Sequence, residues 1–235
     1  MKNYFSLFIS LLLIIGCSEQ NNDYFPLDKI KTWNYTVKIQ PDVDDAVIYK
    51  KTNQSLGKKK IFLNNENYEV YPFLKEDGTI MYYQSSDDGI YRNGIKFNKD
   101  IDFKIIKKNR MVLPYPIRIG KKWEVDSKTF LILKRYPYYD YRATTNFKLN
   151  YEILSTKEVI QTPLGKFKNC LKIRGTGKTS FIGDSEIGSI IIEVLSEEWY
   201  AKDIGLIKTV RTEKTDTDLF GTTKMVQILD NFEKK

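Results

Sequence analysis

The chain has 235 residues, 38 of them basic and 30 acidic, and carries a formal charge of +8. It contains no histidine, which excludes Ser-His-Asp and Cys-His catalysis, histidine general bases and histidine-containing metal sites together. Its two cysteines are Cys17 and Cys170.

Met1 to Ser10 hold one charge, Lys2, and the apolar run continues through Leu11-Leu12-Leu13-Ile14-Ile15 to Gly16-Cys17. A basic start, a short apolar core and a small residue before the cut describe a secretory signal. The run is too short to span a bilayer, which needs about 20 apolar residues. Ser18-Glu19-Gln20-Asn21-Asn22-Asp23 follows as a polar spacer. Ile14-Ile15-Gly16-Cys17 resembles the lipobox of bacterial lipoproteins, with Ile15 bulkier than the usual residue at its place. The resemblance implies a signal peptide over 1–16, cleavage before Cys17, and palmitate-type acylation of that cysteine. The alternative is an ordinary signal in which Cys17 is incidental. Ser18 in place of aspartate favours the outer membrane if the cell has one. Residues 17–235 would then form the mature chain, with its side chains at +7 (37 basic, 30 acidic). Such a balance suits anionic lipid, glycan or nucleic acid. Export argues against nucleic acid, and the Lys, Asn, Ile, Tyr and Phe bias of an AT-rich genome would raise the charge without any binding role.

The rest reads as β-structure. Trp33, Tyr35, Val37 and Ile39 alternate with Asn34, Thr36 and Lys38, the period of a half-buried strand. Tyr68 and Val70 repeat the pattern, as do Phe147, Leu149, Tyr151 and Ile153. Ile190-Ile191-Ile192 with Val194-Leu195 is more continuous and predicts a strand covered on both faces. Turns are expected at Glu76-Asp77-Gly78, Ser85 to Gly89, Asn93-Gly94 and Thr162-Pro163-Leu164-Gly165, the last joining two strands as a hairpin. No window shows a sustained 3.6-residue apolar period, so any helices are expected to be short. Pro26-Leu27 before Trp33 is echoed 90 residues on by Pro116-Ile117 before Trp123. The β domain, 24–235, is therefore open to division into two related halves, 24–113 and 114–235; the alternative is chance.

Three stretches in order carry a family resemblance: the Pro-Leu/Ile lead-in with its Trp, Thr162-Pro163-Leu164-Gly165-Lys166-Phe167, and Glu198-Trp199-Tyr200-Ala201 with Gly205-Leu206-Ile207-Lys208. They resemble a family of bacterial envelope proteins, often lipoproteins, of unknown function and sometimes labelled TapB-like. The first lead-in departs in having Ile30 where Gly120 stands in the second. More distantly, such domains are similar to the curled sheets of LolA, LolB and LppX, which hold acyl chains in a cavity. That implies a fold and a ligand class and assigns no catalytic residue.

The chemical motifs are weak. Gly175-Thr176-Gly177-Lys178-Thr179 resembles the end of a phosphate-binding loop, but Lys172 stands where the first glycine belongs. A polar strand or turn is the simpler reading. Gly183-Asp184-Ser185-Glu186-Ile187-Gly188 resembles a nucleophile elbow with its second glycine one residue late and no histidine to activate Ser185. Asp42-Val43-Asp44-Asp45 and Thr215-Asp216-Thr217-Asp218 lack a full calcium-loop pattern and read as turn acids. Glu193, Glu197 and Glu198 would supply a carboxylate pair only if space brought them together. Lys58-Lys59-Lys60, Lys107-Lys108-Asn109-Arg110 and Lys121-Lys122 would suit anionic lipid or, more simply, are solvated turns. Arg135-Tyr136-Pro137-Tyr138-Tyr139-Asp140-Tyr141-Arg142 is the most unusual composition; its tyrosines would stack on a ligand or cover a sheet rim. Strict alternation places Cys170 with Lys168, Lys172 and Arg174 as a reactive thiol, whereas a bulge or double coverage buries it. Burial is the expectation adopted.

The expected fold is mainly β: a single strongly curled antiparallel sheet, an open barrel or clam, with few short helices. The expected function is that of a lipid-anchored envelope protein without catalytic residues, metal or cofactor, binding an apolar or lipid-like ligand. Trp33, Trp123, Trp199 and Tyr136, Tyr138, Tyr139 and Tyr141 would line or rim the site. The alternative is a structural accessory subunit that binds an envelope protein partner and no ligand; neither involves nucleic acid. A hollow, filled or acid-lined concave face distinguishes ligand cup, accessory subunit and enzyme.

Overall fold

The computed structural model describes residues 24–234 except 43, 64, 101–103, 136–138 and 184–187, with 63, 105–108, 132–135 and 139–143 described as backbone alone. The lipobox and spacer therefore lie outside the described residues, as does Ser185.

Fifteen strands make up the described chain, and no helix occurs among the described residues. The first seven are β1 (Ile30–Pro41), β2 (Val47–Leu56), β3 (Lys59–Leu63), β4 (Glu66–Lys75), β5 (Ile80–Ser86), β6 (Gly89–Lys96) and β7 (Lys104–Pro114). The remainder are β8 (Lys122–Lys128), β9 (Leu131–Arg135), β10 (Tyr139–Ala143), β11 (Asn146–Thr162), β12 (Gly165–Ile182), β13 (Ser189–Ala201), β14 (Gly205–Thr215) and β15 (Thr222–Lys234). One antiparallel sheet runs β7-β6-β5-β4-β2-β1-β15-β14-β13-β12-β11-β8, with β3 added to β4, while β9 and β10 form a separate hairpin.

The order explains the closure. Two meanders meet where β1 pairs β15, Lys31 opposite Lys234 and Pro41 opposite Thr223. Their free edges are β7 and β8, which are consecutive in sequence and lie side by side. The sheet is thus a nearly closed barrel with one unsealed seam. Curling brings the edges together, as the twist of a long antiparallel sheet requires. Across the seam the Arg110 guanidinium donates to the Asp126 carbonyl. The crossing loop holds a cis Tyr115–Pro116 bond and is anchored to β11 by Gly120 N–H to Ile153 O (2.8 Å) and Ile153 N–H to Lys121 O (3.0 Å).

The predicted alternation holds in β1, where Trp33, Tyr35 and Val37 are buried, and in β11, where Phe147, Leu149, Tyr151 and Ile153 are buried. Thr162 pairs with Gly165 as the predicted hairpin. Two expectations are corrected. β13 is not covered on both faces: Ile190, Ile192 and Val194 are buried, while Ile191 and Leu195 are 41% and 40% exposed. The outer wall of a barrel faces solvent even where the sequence is apolar throughout. Asn93-Gly94 is not a turn but a bulge within β6: the register jumps from Tyr82 opposite Gly94 to Tyr83 opposite Arg92, leaving Asn93 the extra residue.

The interior is unevenly filled. One cluster packs Leu149, Ile153, Leu171, Ile173, Ile190 and Ile192 between the C-terminal strands. Here the phosphate-loop look-alike finds its explanation. Gly175 and Gly177 lie inside β12, under the rings of Tyr151 and Phe147; a Cβ at Gly175 would come within 2.8 Å of the Tyr151 ring. The glycines leave room for aromatic side chains from the neighbouring strand, a known way of covering a bare backbone.

Candidate functional site

The other side of the interior, bounded largely by β1 to β7, is hollow. A cavity of about 300 Å³ opens there, at the low end of the range for ligand pockets. Its apolar wall is a continuous group of rings. Phe25 lies 5.3 Å from Tyr83 and 6.3 Å from Tyr200 between ring centroids, Phe73 lies 5.9 Å from Tyr83, and Trp33 lies 5.4 Å from Phe73. Trp33 is fixed by its indole N–H, which donates to the Ile204 carbonyl at 2.6 Å. The segment after the spacer contributes directly: Tyr24 donates to Asn169 O, Phe25 enters the ring group, and Leu27 O accepts from Ser55.

The polar wall consists of Lys51, Lys75, Arg92 and Arg110, with Asn53, Thr209, Gln227 and Glu198. Alternation places them there: Lys51 and Asn53 share one face of β2, and Phe73 and Lys75 one face of β4. Burial holds Lys51, Lys75 and Arg92 below their ordinary values. For Lys75 the adjoining charges of Lys51, Arg92 and Arg110 push the same way, against a weaker pull from Asp77. Glu198 does not neutralise the group; its carboxylate accepts from the hydroxyls of Tyr151 (2.8 Å) and Tyr200. Both phenols are raised by burial first and by Glu198 second.

Of the residues singled out from sequence, Trp33 lines the cavity. Trp123 stacks on Tyr151 at 5.3 Å in the filled half, and its indole nitrogen finds no partner among the described residues. Trp199 faces away from the cavity, on the Glu197 side of β13, beneath the ammonium groups of Lys172 (4.9 Å) and Lys208 (5.1 Å). Tyr136 and Tyr138 lie outside the described residues; Tyr139 and Tyr141 are placed only as backbone on β10.

The remaining candidates resolve into structural roles. Glu193 pairs with Lys178 (2.9 Å), and Glu197 with Lys172 (3.0 Å) and Arg174 (2.8 Å), so the three glutamates do not converge. Asp42 accepts from Thr222 N–H and Asp216 from Ile191 N–H, both 2.8 Å. Among the described residues no metal-binding cluster of acids and cysteines occurs. The basic run at 107–110 is not a turn but part of β7, with Arg110 in the cavity wall. Cys170 is fully buried beside buried Leu171, at a point where the β11–β12 register breaks near Glu158 and Asn169 takes φ 54°. Burial also raises its thiol.

Sequence reasoning named Arg110, within the basic run at 107–110, but missed Lys51, Lys75 and Arg92. The signal at Lys51 was a pair of alternating polar positions in a strand whose two faces are both polar, which leaves no contrast to read.

No protein-family model matches the chain, and no curated protein matches it. Solved structures do resemble it. A Parabacteroides distasonis protein, provisionally named a lipoprotein, aligns with 89% of this chain and 98% of its own, at 16% identity and a TM-score of 0.43. A Bacteroides fragilis protein, provisionally named an exported protein with a YmcC-like fold, aligns over the same shares at 13% identity and 0.43. A LolA superfamily protein from Nitrosomonas europaea aligns with 92% of this chain and 90% of its own, at 9% identity and 0.24.

Proposed function

We propose that the protein is a lipid-anchored protein of the bacterial cell envelope that carries a lipid-like ligand in the hollow half of its barrel and performs no catalysis. The observation that carries this reading is the cavity itself. A sheet built only to dock a partner gains nothing from an unfilled interior, since empty volume costs stability. Here about 300 Å³ is left open beside a ring group that would pack against an alkyl chain.

The envelope address rests on the lipobox resemblance at Cys17 and on the spacer, which would let two or more acyl chains hold the protein at a membrane. The outer membrane is the proposed location in a cell that has one, from Ser18. The absence of histidine and the dispersal of Glu193, Glu197 and Glu198 support a binding role over a hydrolytic one.

The test is native mass spectrometry of the chain from Ser18, purified without detergent and then extracted with organic solvent. A stoichiometric lipid mass supports the reading and names the ligand. A clean apo mass that does not shift on adding cell lipids refutes it and favours the partner-binding accessory role.

A further inference from the structure

We propose that the cavity selects an anionic amphiphile, with a carboxylate or phosphate head among Lys51, Lys75, Arg92 and Arg110 and an apolar tail against Phe25, Trp33 and Phe73. The inference rests on the ligand-cup reading and specifies its ligand.

Four cations from four strands, β2, β4, β6 and β7, reach one cavity. Among the described residues none of them forms an ion pair. Lys51 donates to the neutral Gln227 carboxamide at 2.9 Å. Arg110 donates to a backbone carbonyl across the seam. Arg92 meets only the thioether of Met81 at 3.2 Å, a weak acceptor, and its Nε is buried without a partner. Lys75 has no side-chain partner among the described residues. Glu198, the one carboxylate among the described residues of the wall, is held by two tyrosine hydroxyls. Glu76 and Asp77 act on Lys51 from the turn after β4, and Asp77 already accepts from Thr79 N–H at 2.9 Å.

Such a group is unfavourable in an empty protein. Half-buried like charges repel and lose hydration, and the pull of Glu76 and Asp77 offsets this only in part. An anion entering the cavity reverses both effects. Guanidinium groups suit carboxylate and phosphate because their planar N–H pairs match two oxygens at once. A second observation points to the same place: the Arg92 Nε–H, a donor buried in the cavity wall, has no acceptor, while the unpartnered Asn53 side-chain oxygen is an acceptor and suits a hydroxyl or water beside the head rather than the anion itself. Lys75 lies two residues beyond Phe73 on the same strand face and opposite Asn53 in the ladder. The head site therefore adjoins the ring group, the arrangement an amphiphile needs.

All of the sheet and core described lies within 24–234, so the chain from Ser18 serves for the test. Calorimetric titration below the micelle concentration compares dodecanoate, dodecyl phosphate, dodecanol, dodecyltrimethylammonium and inorganic phosphate. The two anionic chains should bind one per protein and at least about tenfold tighter than dodecanol, the scale of one charge-assisted hydrogen bond. Dodecyltrimethylammonium should bind most weakly. Lys75→Met should lose about tenfold for dodecanoate and nothing for dodecanol, and Lys51→Met repeats the reading from another strand. Dodecanol binding as well as dodecanoate, or variants that weaken both alike, would overturn the inference while leaving the ligand-cup reading intact. Inorganic phosphate binding as tightly as dodecyl phosphate would overturn it in favour of a free-anion site. No binding by any chain would overturn both.

Discussion

Replacing Lys75 with methionine should stabilise the ligand-free protein. Most truncations of partly buried side chains do the opposite, so the sign is informative. Methionine keeps the unbranched stem and removes the ammonium. What is lost is a charge that burial opposes and that Lys51, Arg92 and Arg110 repel. Two like charges ~4 Å apart at an effective dielectric of ~20 repel by ~4 kcal/mol, and the repulsion falls off as they separate. Solvent reaching the cavity and the pull of Asp77 reduce the net effect to about 1 kcal/mol. For a chain of this size that corresponds to a rise in Tm of about 2–4 °C. The pH dependence has a fixed sign. The folded pKa of Lys75 lies below its ordinary 10.5, so between the two values the unfolded chain binds more protons and wild-type stability rises with pH. Below the folded pKa the penalty is complete. The variant's advantage should therefore be largest below the folded pKa and shrink as pH climbs from there towards the ordinary lysine value. Thermal and urea melts in an inert, low-anion buffer measure both. A Tm that falls at pH 7 would mean that Lys75 is already paired, and the account of an uncompensated cationic wall would be wrong.

Other consequences follow from the same geometry. Gly175→Ala should cost about 1–3 kcal/mol by driving its methyl into the Tyr151 ring, read as a lower urea midpoint. Cys170 should resist a thiol reagent in the native protein and react only on unfolding, because it is fully buried and its thiolate disfavoured; rapid native labelling would contradict this. Cys17→Ser should release the protein from membranes into the soluble fraction, whereas persistence on the membrane would count against acylation.

The fold was legible where one face of a strand is apolar and the other polar. β1 and β11 show this contrast, and the Thr162–Gly165 hairpin carries its own turn chemistry. A strongly curled, barrel-like sheet was expected and is what forms, but the pairing that joins its halves was not legible, because β1 with β15 brings together residues at opposite ends of the chain without a local signature. Asn93-Gly94 has the composition of a turn, and only the ladder reveals a bulge. The cavity was half legible. Trp33 stood out as an aromatic in an alternating strand. Lys51 and Asn53 alternate with Thr52 and Gln54 in a stretch polar on both faces, so nothing local marks which face turns inward. Gly175 and Gly177 look like ligand-binding glycines in sequence, yet their neighbours on β11 show that they make room for rings.

Whether a ligand sits inside the barrel's hollow half is decided by photolabelling with a fatty acid that carries a diazirine on its chain, followed by peptide mapping. A ligand in the cavity gives saturable labelling of peptides containing Trp33 or Phe73, blocked by excess dodecanoate. Labelling spread over the exposed outer-face residues Ile182, Ile191 and Leu195, or labelling that never saturates, would contradict it.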